Sequence, residues 1–197
     1  MAVKSSPMNT TFEESHGQTF VDFDLAGMPL QGERTCSYED GSSYSGLFQA
    51  DLFQGKGTFI WEDGSRYEGQ WDKGLPHGSG TMLLPDGYRY EGEWKNGIAE
   101  GKGSETLPDG DRYTGQWKNG LKDGNGEMVF ADGKKYTGDW KDGMQHGKGV
   151  LWYTDGSRYE GEWKENSIVG QGVLVFWDGK KYQGEWKNNN FKVLKTL

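Results

Sequence analysis

The sequence predicts an all-β protein, an elongated single-layer twisted antiparallel meander of repeated β-hairpins. Two observations support this prediction: an aromatic and glycine pattern recurs every 23 residues, and an Asp-Gly pair recurs with the same period. The pattern is anchored by seven evenly spaced tyrosines, Tyr44, Tyr67, Tyr90, Tyr113, Tyr136, Tyr159 and Tyr182. A fixed period of this size is typical of stacked copies of one supersecondary unit.

The residues after each tyrosine predict a β-strand with two different faces. A glycine follows two residues after the tyrosine, and an aromatic residue follows two residues after that glycine. This aromatic residue is Phe48 in the first copy and tryptophan in the others, and mainly polar residues lie between the pattern positions. Alternation of this kind places the rings on one face of a strand and the polar side chains on the other. Because glycine has no side chain, a ring from a neighbouring strand can lie flat over it.

Two turns per repeat are expected to join the strands. The Asp-Gly pair predicts a tight hairpin turn, because glycine reaches positive φ without steric cost and aspartate tolerates it. A second turn is predicted after each tryptophan, at segments such as Lys95-Asn96-Gly97. Two copies depart from this pattern, with Asp51 in place of the usual glycine and with Glu165-Asn166-Ser167 in the copy that starts at Tyr159. We therefore expect a different turn shape near Asn166.

The repeat register divides the chain into four parts. In the last copy the glycine pair is replaced by Val193 and Lys195, and before Tyr44 the pattern is only weakly kept. The parts are a flexible N-terminal tail (1–19), a degenerate N-terminal capping repeat (20–43), the regular array (44–190) and a C-terminal cap at the sheet edge (191–197).

Composition and charge argue against several classes of protein. The net charge is −8 and the 22 Lys and Arg residues are spread over the repeats, so we predict no nucleic-acid partner. The single cysteine, Cys36, excludes an intramolecular disulfide. No apolar run approaches the roughly 18 residues of a membrane span, and the polar N-terminus lacks the apolar run of a signal peptide. These features predict a cytoplasmic protein.

No catalytic or metal-binding constellation is recognisable. His77 and His146 occupy a repeat position that other copies fill with Glu100, Asp123 or Val169, so we expect a solvent-facing loop position there. The Asp-Gly pairs lack the alternating acids and terminal glutamate of an EF-hand. The sequence therefore predicts a protein that is not an enzyme and that has no cofactor and no metal.

The unit Y-x-G-x-W-x-x-G-x-x-x-G-x-G-x-x-x-x-x-D-G resembles the MORN repeat. The segments from Tyr67 to Gly80 and from Tyr136 to Gly149 are full instances, and the resemblance covers residues 44–190 closely and 21–43 loosely. It implies an elongated single-layer sheet with an aromatic groove. Bearers of the repeat include radial-spoke head proteins of cilia and small adaptors that bind myosin tails. In such proteins the repeats bind or scaffold, and any catalysis is located in another domain.

The repeats differ most in the C-terminal half of the chain, where we place the partner-binding groove. Residues 150–153 and 173–177 are apolar and add two tryptophans, whereas residues 103–107 are mainly polar. A single-layer sheet leaves apolar surface open, and binding hot spots are enriched in tryptophan and tyrosine. The predicted partner-binding residues are Tyr113, Trp117, Tyr136, Trp140, Trp152, Tyr153, Tyr159, Trp163, Phe176 and Trp177. The opposite face is expected to be a solvated surface of ion pairs.

Two functions are compatible with these features. The first is a non-catalytic adaptor or scaffold that docks an extended or helical segment of a larger cytoskeletal protein along the aromatic groove. The resemblance supplies the setting, such as a ciliary axoneme. The alternative is a peripheral membrane tether that binds phosphoinositide headgroups. Sedimentation with anionic liposomes would discriminate the two, and the oligomeric state is left open.

Overall fold

The computed structural model describes residues 30–187 and 190–197, and its regular secondary structure consists of β-strands. The predicted N-terminal tail, residues 1–19, lies outside the described residues, as do residues 20–29 of the predicted cap. The described residues divide into two compact units between Pro108 and Asp109. In each unit the strands follow one another as antiparallel hairpins, which confirms the predicted fold class.

The first unit contains seven strands, each paired antiparallel with the next. They are β1 (Gln31–Ser37), β2 (Ser43–Gln49), β3 (Leu52–Ile60), β4 (Arg66–Asp72), β5 (Leu75–Leu83), β6 (Arg89–Lys95) and β7 (Ile98–Thr106). Strands of seven and nine residues alternate from β2 onward. The seven-residue strand carries the tyrosine and the second aromatic, and the nine-residue strand carries the glycine pair.

The second unit continues the same alternation through eight strands, again paired in chain order. They are β8 (Arg112–Lys118), β9 (Leu121–Val129), β10 (Lys135–Lys141), β11 (Met144–Trp152), β12 (Arg158–Lys164), β13 (Ser167–Val175), β14 (Lys181–Lys187) and β15 (Asn190–Thr196).

Six of the seven tyrosine rings, all but that of Tyr182, cover a glycine of the following strand. A Cβ atom added to Gly80 on β5 would lie 2.1 Å from the Tyr67 Oη and 2.4 Å from its Cζ. Gly69 faces Gly80 so closely that a Cβ on Gly69 would lie 2.5 Å from the Cα of Gly80. The Tyr67 hydroxyl donates to the Gln70 carbonyl at 3.0 Å. This geometry confirms the predicted role of glycine, since any larger residue would displace the ring. The same contact joins Tyr44 to Gly57, Tyr90 to Gly103, Tyr113 to Gly126, Tyr136 to Gly149, and Tyr159 to Gly172.

Within each unit, the tryptophans link successive tyrosines into an array of rings. Trp140 packs edge-on against Tyr136 of its own strand and Tyr113 of the preceding repeat, with centroids 5.4 and 5.1 Å apart. Its Nε1–H donates to the Gly126 carbonyl at 3.3 Å. Edge-to-face packing of this kind adds to the free energy gained from area burial. The ring array therefore serves as the core of a sheet that has no second layer.

Burial also affects the ionisation of the tyrosines. It raises the pKa of Tyr44 to about 12. The Tyr44 phenol is therefore neutral at physiological pH, and its hydroxyl donates to the Leu47 carbonyl at 3.1 Å.

The Asp-Gly turns differ from the prediction in the role of aspartate. Gly64 has a φ of 84° and donates its N–H to the Trp61 carbonyl at 3.0 Å, whereas Asp63 does not take positive φ. The Asp63 carboxylate instead accepts the Ser65 N–H at 2.8 Å. Only glycine supplies the left-handed backbone here, and aspartate contributes a side-chain acceptor, as in an Asx turn.

The turns after the tryptophans have two successive residues at positive φ, as in a type I′ hairpin. Asn96 and Gly97 have φ of 50° and 79°, and Glu165 and Asn166 have φ of 50° and 64°. The expectation of a different turn shape near Asn166 is therefore wrong. Asparagine tolerates the left-handed region, and the Asn166 side-chain oxygen accepts the Gln145 N–H at 2.9 Å. Asp51 has a φ of 65° in the equivalent turn.

His77 and His146 lie in strands β5 and β11, where both are half-buried. The expectation of a solvent-facing loop position is wrong, because the preceding two-residue turn is so short that β5 already begins at Leu75. His146 pairs with Asp139 of β10, beside an irregularity in the strand register.

Candidate partner-binding surface

Each sheet has two distinct faces. We call the side that carries the tyrosine and tryptophan rings the ring face, and the opposite side the open face. On β10, Tyr136 and Trp140 point to the ring face, and the alternating Lys135 and Thr137 point to the open face. This assignment decides which predicted site residues a partner can reach.

Six of the ten predicted partner-binding residues lie in the interior of the ring face. None of the six is more than 5% exposed, because each ring is covered by its neighbours and by the glycine backbone. They are Tyr113, Trp117, Tyr136, Trp140, Tyr159 and Trp163. These side chains hold the hairpins together and leave little surface for a partner.

The other four predicted residues are more accessible. Trp152 ends β11 on the open face, beside Lys135 of β10 and Arg158 of β12. Tyr153 follows directly and is half-buried. In the turn after β13, Phe176 is 39% exposed and Trp177 is 74% exposed. These two therefore offer aromatic surface at the hairpin ends rather than in the ring array.

A groove runs across the open face of the second unit, from β10 to β14, with a volume of about 540 Å³. Its side chains are Val150 and Val173 (apolar), Lys148, Glu160 and Glu162 (charged), and Thr137, Gln171 and Gln183 (polar), and three glycines complete the lining. The sequence-based prediction assigned the groove to the aromatic stripe and missed this face. The available signal was the period-two alternation, which places Val150 in phase with Trp152 and out of phase with Leu151.

The middle open-face position of the nine-residue strand is apolar in the groove and polar in the earlier copies. The repeat position of Val150 and Val173 is occupied in earlier copies by Thr58, Thr81, Ser104 and Glu127. The position of Trp152 is occupied in other copies by Ile60, Leu83, Thr106, Val129 and Val175. The combination of a valine in the middle of the strand and a tryptophan at its end occurs only in β11.

Many polar groups of the open face are already engaged. In four repeats the residue before the tryptophan accepts a backbone N–H from the following strand, for example Gln70 from Ser79 at 3.0 Å and Asp139 from Lys148 at 3.0 Å. Glu93 and Gln116 make the equivalent bond. These side chains hold the irregular part of the strand pairing, so their oxygens are already engaged within the sheet.

Ion pairs neutralise a row of basic residues on the same face. Arg66 pairs with Glu68 and Arg158 with Glu160, each at 2.5 Å, and Lys135 pairs with Glu127 at 3.2 Å. The Lys135 ammonium also lies 4.6 Å from the centre of the Trp152 ring. The predicted surface of ion pairs is therefore present, and a cation–π contact holds Trp152 in place.

Within the described ranges, no three His, Cys, Asp or Glu side chains are grouped as metal ligands. No helix in the part of the chain that the structure describes is long and apolar enough to cross a membrane.

Antiparallel hairpins of one 23-residue type, with rings packed on one face and the other face open, define a β-hairpin repeat protein. The MORN repeat family matches residues 44–66, 67–87, 90–112, 113–135, 136–158, 159–181 and 182–192. The chain belongs to the MORN-repeat family.

Solved structures with a similar fold include centriolar protein domains. The TCP domain of SAS-4 (dCPAP) from Drosophila melanogaster, in complex with a proline-rich motif of Ana2, aligns with a TM-score of 0.51 at 16% identity. The alignment covers 86% of this chain and 98% of that domain. The TCP10 domain of Danio rerio CPAP aligns with a TM-score of 0.43 at 15% identity, over 83% of this chain and 87% of that one. At this identity the first match shows a shared fold. No curated protein sequence matches the chain.

Proposed function

We propose that the protein is a non-catalytic scaffold that docks a segment of a partner protein in the open-face groove of β10 to β14. The observation that carries the proposal is the restriction of valine at the middle open-face position to β11 and β13, next to the partly exposed Trp152. A repeat array that only maintained its own fold would have no need for this local change. Half-buried apolar side chains that line a groove beside a partly exposed tryptophan are typical of an interaction site.

The groove has the size of a peptide-binding surface. Its volume of about 540 Å³ can accommodate several side chains. It crosses five strands, and four inter-strand spacings of about 4.8 Å give a length of roughly 19 Å. This length corresponds to about 6 residues of extended chain or about 13 residues of helix. Either kind of segment suits the groove.

Trp152 is the expected anchor for such a segment. Its ring is held from one side by Lys135, so that little rotamer freedom remains to be lost on binding. Tryptophan is strongly enriched among residues that dominate binding energy. Phe176 and Trp177 provide further aromatic surface at the hairpin ends.

We place this function in a cytoplasmic, cytoskeletal assembly such as a ciliary axoneme. Support comes from the family, whose members include ciliary and cytoskeletal scaffolds. Further support comes from the fold shared with the Drosophila SAS-4 domain, whose solved structure holds a proline-rich motif of Ana2. A sheet of this type can therefore bind a peptide.

Replacing Trp152 and Trp177 with serine is expected to remove the partner. We expect the double variant to recover at least about tenfold less of the partner than the wild type does, because truncating an aromatic hot spot commonly costs about 2 kcal/mol or more. Affinity purification from ciliated cells with quantitative mass spectrometry measures the recovery.

Ile60→Ser is the matched control for Trp152→Ser. Ile60 occupies the same repeat position in the first unit and is 41% exposed, so it removes apolar surface far from the groove in sequence. Recovery should be unchanged for this variant. Equal losses for both variants, or loss of the β circular dichroism signal in the double variant, would refute the groove as the docking site.

The scaffold and the phosphoinositide tether differ in what they predict for vesicle binding, because only a tether should sediment with vesicles. Because the basic row is ion-paired within the sheet and the net charge is −8, we expect less than about a tenth of the protein to sediment with phosphoinositide-containing vesicles at physiological salt. The measurement is co-sedimentation, with Arg66→Glu and Arg158→Glu as paired variants. Strong sedimentation that these variants abolish would favour the tether over the scaffold.

A further inference from the structure

A second surface lies at the outer edge of β15, one strand beyond the groove, where Lys195 pairs with the groove residue Gln183. In the described part of the chain, β15 pairs with β14 on one side, and no strand pairs with residues 193–197 on the other. Unpaired backbone groups of this kind are a ready template for an added strand. Natural proteins usually shield such an edge or use it.

The side chains around this edge are unusually apolar and exposed. Leu194, Leu197 and Val193 are 55%, 55% and 49% exposed, the highest values after Trp177 among the large hydrophobic residues that the structure describes. A solvated edge strand would be expected to carry polar side chains at these positions. The edge therefore has apolar surface available to an added strand.

The charge of this region is opposite to that of the whole chain. Residues 178–197 contain five lysines and only two acidic residues, within a chain of net charge −8. One of the five, Lys180, pairs with Asp178 at 2.7 Å. Lys192 and Lys195 lie on β15 itself and are exposed. This local excess of positive charge favours an acidic segment as the occupant. It disfavours a second copy of β15, because the lysines of the two copies would repel each other.

The backbone geometry identifies the groups that an added strand would use. The Leu197 N–H donates to the Lys181 carbonyl at 2.9 Å, so it points toward β14. Successive amides of an extended strand point in opposite directions. The N–H of Thr196, which pairs with Tyr182 across the sheet, therefore points away from β14.

We propose that the free edge of β15 binds an extended, acidic and apolar segment of a partner protein as an added antiparallel strand. The Thr196 N–H donates to the backbone of that segment. Lys192 and Lys195 pair with its carboxylates, and Val193, Leu194 and Leu197 cover its apolar side chains.

A synthetic peptide of alternating glutamate and valine, as long as the seven residues of β15, tests this proposal on the full-length protein. We expect it to bind at least about tenfold more tightly than its lysine and valine counterpart, because charge complementarity selects between them. K192E/K195E should reverse this preference. Fluorescence anisotropy measures both affinities, and hydrogen exchange should show slower exchange of the Thr196 amide in the bound state.

Thr196→Pro removes the outward donor but leaves the ladder to β14 intact, since proline is tolerated on a sheet edge. We expect this variant to bind the acidic peptide with about tenfold lower affinity than the wild type. Thr196→Ala, which keeps the N–H, should bind with the affinity of the wild type. Val150→Ser in the groove should leave peptide binding unchanged, so the two sites can fail separately.

Three results would overturn the proposal. They are equal affinity for the acidic and basic peptides, full binding by Thr196→Pro, and a concentration-dependent dimer in light scattering that the acidic peptide fails to dissociate. The last result would assign the edge to a second copy of the chain. Sedimentation with anionic vesicles that K192E/K195E abolishes would assign the lysines to a membrane instead.

Discussion

Replacing Trp140 with alanine is expected to lower the free energy of unfolding by about 3 to 5 kcal/mol. The indole is only 3% exposed and packs edge-on against two tyrosines from successive repeats. Its removal also leaves the Gly126 carbonyl without the bond from the indole Nε1. Because a single-layer sheet has no second layer that could collapse into the space, little of this loss can be recovered. Urea denaturation followed by circular dichroism measures the change.

Trp177→Ala is the matched control for this experiment. The same side chain is removed, but from a position that is 74% exposed, so we expect a change of at most about 0.5 kcal/mol. Similar effects of the two variants would show that the ring face is not the stabilising core. A large loss in Trp140→Ala alone would establish the ring array as the structural element that joins one repeat to the next.

Gly80→Ala is expected to destabilise the protein by about 3 kcal/mol or more, although only a methyl group is added. The new Cβ would lie 2.1 Å from the Tyr67 Oη. The ring cannot move aside easily, because it is fully buried, bonded to the Gln70 carbonyl and packed against Trp71 and Trp94. Differential scanning calorimetry would show a lower melting temperature.

Gly87→Ala is the control that measures how much stability is lost when a glycine is replaced without a steric clash. Gly87 has a φ of 92°, and no atom lies within 4 Å of its Cβ position, so only backbone strain of about 1 to 2 kcal/mol is expected. Combining Gly80→Ala with Tyr67→Leu should cost less than the sum of the two single changes, because the second change removes the clashing ring. Additive losses would contradict the ring-over-glycine contact.

Much of the fold could be predicted from residue spacing. The spacing of Tyr67 and Gly69 predicts a strand with a ring face, and the absence of a side chain at Gly80 predicts a ring lying on the backbone. Both predictions depend on steric properties that each residue carries in any context. For that reason they agree with the structure repeat after repeat.

The turn at Asn166 and the positions of the histidines could not be predicted in the same way. Asn166 keeps the turn shape of the other repeats because its side chain accepts a hydrogen bond from Gln145, which lies 21 residues earlier. His77 lies within a strand because β5 pairs with β4 from Leu75 onward, directly after the two-residue turn that joins the two strands. In both cases the deciding contact comes from a neighbouring strand and is not visible in the local sequence.

The candidate site was likewise predictable from the sequence only in part. The aromatic stripe and the unusual composition of residues 150–153 were visible in the sequence, and they led to a predicted site in the half of the chain that contains the groove of β10 to β14. However, six of the ten selected rings are buried, and the groove is lined by Val150 and Val173 on the opposite face. Aromatic residues suit a core as well as an interface, so residue type alone does not separate the two roles.

The sequence by itself determined that the chain consists of repeated hairpins with a period of 23 residues, and that it belongs among MORN-repeat proteins. A period of 23 residues is a covalent property of the chain, and strand alternation follows from backbone geometry. Only the tertiary structure decided which face stays open and which tryptophans remain accessible. These properties depend on burial, and burial is created when strands distant in sequence pack their rings against one another.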